Sequence, residues 1–112
     1  MNGSAAVVAL VLLAPASPAL AGEPDAKAVY LDKCLACHGE TGAPTPPFAK
    51  RGVKDLSDPE WQASKTDEEI RHSIAKGAEE TLMRAFDKEL DGATIDALVG
   101  FVRSLKREPG AP

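Results

Sequence analysis

The stretch Cys34-Leu35-Ala36-Cys37-His38 brings two thiols and an imidazole together at the C-x-x-C-H spacing by which a c-type haem is attached. On a helix Cys34 and Cys37 leave one face, where the two vinyl groups of a porphyrin can take both sulfurs as thioethers. His38 follows Cys34 by one helical turn and rises from the same side, as a proximal iron ligand would. Three other chemistries use similar residues. A thioredoxin-type dithiol needs its pair at the opening of a helix, whereas the helical pattern here runs through Ala26–Lys33 and reaches the pair from its N-terminal side. A structural zinc site needs a fourth nitrogen or sulfur ligand, and apart from methionine the chain offers only His72. A simple disulfide leaves His38 without a role.

A proximal histidine leaves one axial position on the iron. Met83 is the only methionine beyond Met1. It lies in a segment without helical period, which weakens the ordinary reading of methionine as a flexible core filler. Thioether with imidazole is also the common pairing in electron-carrying haems. The competing amines are lysines, which must first lose a proton. His72 stands about 200° around its helix from Ile70, at roughly 100° per residue, so it is expected to face solvent.

The elements that would position these groups are helical. Asp25 can cap a first helix in which Ala26, Val29, Tyr30 and Lys33 lead to Cys34 and Cys37 at helical spacing, with Gly39 as its stop. Residues 40–55 are expected to be irregular, because Gly42, Pro44, Pro46, Pro47 and Gly52 fall densely. Such a loop either wraps one edge of a cofactor, with Phe48 pointing inward, or is a plain surface loop. Ser57-Asp58-Pro59-Glu60 opens a short helix carrying Trp61. Thr66-Asp67-Glu68-Glu69 is a capping box for a helix that presents Ile70 and Ile74 on one face and stops at Gly77. Residues 78–90 show no period. Asp91 can cap a last helix with Ile95, Leu98, Val99, Val102 and Leu105 in register, basic residues Arg103, Lys106 and Arg107 in its last turns, and Pro109-Gly110 at its end.

The bulk properties fit one small all-α domain. Asn2–Ala21 has no charged side chain, contains an apolar run over residues 5–13, and ends in the small-x-small pattern Ala19-Leu20-Ala21. Residues 1–21 therefore read as a secretory signal, the alternative being an uncleaved anchor, and residues 22–112 as the domain. A chain of this size buries a thin core. Its aromatics are only Tyr30, Phe48, Trp61, Phe86 and Phe101, and a porphyrin would supply apolar bulk. The net charge of −4 argues against a nucleic-acid partner.

With these residues in place, the chain resembles a small bacterial class I, monohaem cytochrome c over nearly all of residues 26–105. The shared pattern is Tyr30 four residues before the C-x-x-C-H stretch, a Pro-rich loop and an acidic helix ending in glycine. A Met-x-Ala-Phe segment and a final Leu-Val-x-Phe-Val-Arg-Ser-Leu helix complete it. The resemblance implies three main helices plus a short one around a covalently bound haem c. It also implies a crossing of the first and last helices in which Tyr30 and Ala26 meet Leu98 and Phe101. A proline carbonyl, from Pro44, Pro46 or Pro47, would hold the proximal imidazole. The sequence departs from the family pattern at Ala26, where glycine is usual, and at Thr94, where an acidic residue would complete a capping box. It departs again at Arg84, where proline usually follows the ligand methionine. The last change is expected to leave the ligand loop less stiffened, with a long flexible cation attached, so that exogenous ligands enter comparatively easily.

The expected function is that of a periplasmic one-electron carrier, not an enzyme. Cys34, Cys37, His38 and Met83 would bind the haem, and His38 and Met83 the iron. Its partners would be redox proteins, with no nucleic acid, no stable membrane insertion after signal cleavage, and a monomeric state. The alternative is a haem protein with a labile sixth ligand that binds a small ligand or activates peroxide. Lys50, Arg51 and Lys54 in the loop and Arg84 and Lys88 beside the ligand suggest a basic rim for an acidic partner site, against the plainer reading of solvated charge.

Overall fold

The computed structural model describes residues 3–7, 9–10 and 24–108. The proposed cleavage site at Ala19–Ala21 and the Pro109-Gly110 stop lie outside them. Among the described residues six helices follow in order: α1 (Ala26–Lys33), α2 (Leu35–His38), α3 (Pro46–Lys50), α4 (Pro59–Ser64), α5 (Asp67–Lys76) and α6 (Gly92–Ser104). No strand occurs among the described residues. None of these helices is long and apolar enough to cross a membrane.

The caps explain where most helices begin. The Asp25 carboxylate accepts from the Ala28 amide, and Asp58 does the same for Glu60. Thr66 and Glu69 form the full reciprocal box at the head of α5. Asp91 accepts from Thr94, which with no acidic side chain of its own leaves the box on α6 one-sided.

Three boundaries differ from the sequence expectation. The first helix is interrupted at Cys34, whose N–H still bonds to the Tyr30 carbonyl at 2.8 Å and whose carbonyl accepts from His38 at 2.9 Å. Residues 46–50, expected to be irregular, form α3, because Pro46 and Pro47 occupy the first-turn positions where no N–H is required. The last helix closes at Ser104, so Lys106 and Arg107 lie beyond it. The expected three main helices are α1, α5 and α6, and the described residues add the short α2 and α3 to the expected short α4.

The core forms where α6 meets α1 and α5. Tyr30 and Leu98 are essentially inaccessible, and the Tyr30 and Phe101 rings pack with centroids 4.9 Å apart. The expected crossing of the first and last helices is thus present. The Tyr30 hydroxyl donates to the Gly39 carbonyl at 2.7 Å, which ties α1 to the end of the C-x-x-C-H stretch. Gly39 itself is required: its φ is +77°, and a Cβ there would collide with the Ala43 carbonyl.

A polar network holds the far side of α6. The buried Gln62 amide donates to the Leu56 and Val102 carbonyls at 2.7 and 2.8 Å. Arg103 donates to the Gln62 side chain and carbonyl, to Asp67 and to the Lys65 carbonyl. Beyond the helix, Arg107 bonds to Asp55 and Ser57. These cations act as cross-links between elements. Replacing Gln62 with Leu should strip partners from buried carbonyls and from Arg103, at a cost of about 1–3 kcal/mol. Thermal unfolding of the holoprotein measures this as a lower Tm; an unchanged Tm would show that the network contributes nothing.

Candidate cofactor site

One cavity of about 310 Å³ gathers the residues singled out in the sequence. Cys34, Cys37, His38 and Met83 all line it. Its apolar wall comes from Tyr30, Leu56, Ile70, Ile74, Phe86, Leu98 and Val102, with Trp61 from α4 and Val53 from the segment between α3 and α4. Lys33, Lys54, Lys65, Glu69 and Arg84 supply its charged margin. The expected surface position of His72 also holds, since it is exposed on α5 and lines no part of this cavity.

His38 is oriented by the main chain. Its Nδ1 lies 3.1 Å from the Lys54 carbonyl. A carbonyl can only accept, so Nδ1 carries the proton and Nε2 keeps its lone pair for a metal. Burial lowers the pKa of the imidazole, and the Lys54 contact opposes this in part. The neutral, ligating form is favoured.

The carbonyl at this position does not come from Pro44, Pro46 or Pro47. Pro46 and Pro47 open α3, where helical carbonyls point along the axis. The chain then turns back, so that Gly52, Val53 and Lys54 border the cavity. Phe48 is half-buried outside the core cluster, with the Arg51 guanidinium 6.0 Å from its ring centre, and lines no part of the cavity. The loop does wrap the site, but with the residues after the helix.

The Cys34 thiol is not activated as a redox nucleophile. Burial, helped by the neighbouring Cys37, pushes the Cys34 thiol up to about 11, with Arg84 opposing. A nucleophilic cysteine needs the opposite shift. Among the described residues no group of three or more His, Cys, Asp or Glu side chains converges to hold a metal ion. An apolar cavity with two sulfurs, an imidazole lone pair and a thioether on its wall fits a porphyrin attached through the cysteines.

Met83 is held by its own backbone. Its N–H donates to the Thr81 hydroxyl at 3.1 Å, and its carbonyl accepts from the Ala78 N–H at 3.0 Å. Thr81 also donates to the Ala78 carbonyl at 2.7 Å, closing a compact loop. Downstream, Phe86 and Asp87 donate to the carbonyls of Ile74 and Ala75 on α5. Arg84 is not the free cation the sequence suggested: it stacks over Phe86 and pairs with Glu89. Thr81, Gly77 and Lys54 were absent from the sequence-derived site. A hydroxyl two residues before Met83 was the one local signal available for Thr81. Lys54 acts through its carbonyl, which residue type does not reveal.

Gly77 makes this loop possible. Its φ is +77°, and an added Cβ would lie 2.8 Å from the Met83 carbonyl oxygen and 3.1 Å from the Ala85 nitrogen. Gly77→Ala should cost roughly 1–3 kcal/mol from backbone conformation alone and displace Met83, seen as a lower Tm with an altered visible spectrum.

Asp55 secures the segment that offers Lys54. Burial would raise its carboxyl, but hydrogen bonds from Ser57 and Arg107 outweigh this and hold it below the usual carboxylate range. Stability from this group is therefore present above the unfolded-state pKa and is lost as pH falls through the depressed folded value. Acid unfolding should be shallower in Asp55→Asn than in the wild type, and identical pH profiles would contradict this.

Comparison with known proteins points the same way. The family described as cytochrome c oxidase, cbb3-type, subunit III, matches residues 21–102. The cbb3-type cytochrome c oxidase subunit FixPc of Rhizobium leguminosarum bv. viciae is 32% identical over 91 residues, covering 81% of this chain and 30% of that protein. Subunit FixP of Bradyrhizobium diazoefficiens is 35% identical over 92 residues, covering 74% of this chain and 30% of that protein. The chain thus spans about a third of the length of these curated relatives. Among solved structures, the KustC0563 c-type cytochrome superposes with a TM-score of 0.69 at 37% identity, covering 75% of this chain and 100% of that one.

Proposed function

We infer the function of this chain from its family: it belongs to the cytochromes described as cytochrome c oxidase, cbb3-type, subunit III, and is a small monohaem c-type cytochrome with covalently bound haem c. We propose that it is an exported, monomeric one-electron carrier of the periplasm, passing electrons between redox proteins. Residues 1–21 would serve as its secretory signal and residues 22–112 as the cytochrome domain. The curated relatives are oxidase subunits, and a terminal oxidase assembly of that kind is the proposed class of acceptor.

The observation that carries this reading is the meeting of Cys34, Cys37, His38 and Met83 on one apolar cavity. Bound haem c supplies the one-electron couple. Cys34 and Cys37 would form its two thioether attachments. His38, with Nδ1 held by Lys54, would offer Nε2 to the iron, and Met83 its sulfur. Buried Ile70, Ile74, Leu98 and Val102 exclude water from the cavity, which lowers the local dielectric and favours a fairly high potential. Both backbone polar groups of Met83 are bonded within its loop, which would restrain the ligand as the iron changes oxidation state. That restraint supports a carrier over a small-ligand or peroxidase protein, which needs an open sixth position.

In the ferric holoprotein, Met83→Ala should abolish the red charge-transfer band of a sulfur-ligated haem and lower the potential. Cys34→Ala or Cys37→Ala should leave one thioether, and mass spectrometry after acid denaturation shows whether haem stays attached. A charge-transfer band that survives Met83→Ala would overturn the ligand assignment. The haem-free chain should be largely unfolded, because seven of the ten buried core residues among the described residues also line the cavity; a cooperative thermal transition without haem would contradict this.

A further inference from the structure

We propose that Arg84 is a positioning residue for the sixth ligand: through Glu89 and Lys33 it clamps the Met83 loop to the helix that leads into the attachment cysteines. This rests on the reading of Met83 as that ligand.

Proline after the ligand would stiffen the loop by fixing a backbone torsion. The Arg84 side chain reaches the same end by contacts. Its guanidinium lies over the Phe86 ring, 4.0 Å from the centroid, and covers a ring that is only 5% exposed. From there its Nη1 and Nη2 reach the two Glu89 carboxylate oxygens at 2.8 and 3.4 Å. Glu89 in turn accepts Lys33 at 3.4 Å. Lys33 is the last residue of α1 and directly precedes Cys34, and it also lies 3.6 Å from Asp32. The main-chain bonds of Met83, Phe86 and Asp87 fasten the loop within itself and to α5. The Arg84–Glu89–Lys33 bridge joins it by charge to the end of α1, beside the cavity that Lys33, Cys34, Met83 and Arg84 all line.

An isolated surface ion pair would accomplish little. This one is two-pronged, shared among three charges, and stacked on an aromatic face, the arrangement in which such pairs contribute. The Arg84 and Glu89 side chains are 56% and 40% exposed, so dissolved salt weakens the clamp. The loop then opens more often at high ionic strength, and an outside ligand reaches the iron more often.

The test is the rate at which imidazole binds the ferric holoprotein, followed by absorption. Arg84→Gln and Glu89→Gln should each bind about three- to tenfold faster than wild type. The double variant should be no faster than the faster single variant, because both changes break one bridge. Arg84→Lys, which keeps the charge and loses the fork, should fall between. In the wild type, added salt should raise the rate towards that of the variants, and this needs no substitution. Wild-type rates in all variants, or additive effects in the double variant, would overturn the clamp. Absence of the sulfur–iron charge-transfer band from the wild type would instead overturn the ligand assignment itself. A band that persists alongside unchanged rates would overturn only the role of Arg84.

Discussion

The structure depends on a core that doubles as the wall of a cavity. A small chain with few aromatics has little apolar surface to bury, and most of what it has faces inward on the cofactor space. Ile70 and Ile74 come from α5, Leu98 and Val102 from α6, and Tyr30 from α1. Each serves packing and site at once. Helix–helix contact and cofactor binding therefore draw on the same side chains, the condition under which folding is linked to what a protein binds.

Around that core the chain uses short-range polar bonds to fix its connections. Tyr30 reaches Gly39, Gln62 reaches Leu56 and Val102, and Arg103 ties α6 to the start of α5. No buried side-chain nitrogen or oxygen among the described residues lacks a partner. In a domain with little apolar burial to spare, an unpaired polar group would consume a large fraction of the net stability.

What could be read from the sequence follows from range. The C-x-x-C-H stretch, the caps at Asp25, Asp58, Thr66 and Asp91, and the register of Ile70, Ile74, Leu98 and Val102 are local patterns. Their physics acts within a turn or two, and the structure shows each of them. The helix at Pro46–Lys50 was hidden because proline density argues against a helix unless the prolines fall in its first turn, as here. The carbonyl beside His38 was hidden for a different reason. Every residue carries a carbonyl, so its contribution depends on where the chain turns, not on which side chain it bears. Arg84 looked like the loss of a stiffening proline, because its bridge to Glu89 and on to Lys33 spans sequence distances that no local rule couples.

The contact between His38 and Lys54 is made by the peptide group, and this constrains how the protein can evolve. A side-chain partner could be deleted or exchanged by one codon change, and the electron density on the imidazole would shift in one step. A main-chain partner survives substitution at its own position. Adjustment must come from the length of the segment between α3 and α4 or from the anchors that set its path, such as Asp55 with Ser57 and Arg107. The redox set point of such a site is then governed by the geometry of a segment, and a substitution at position 54 leaves the contact to His38 in place.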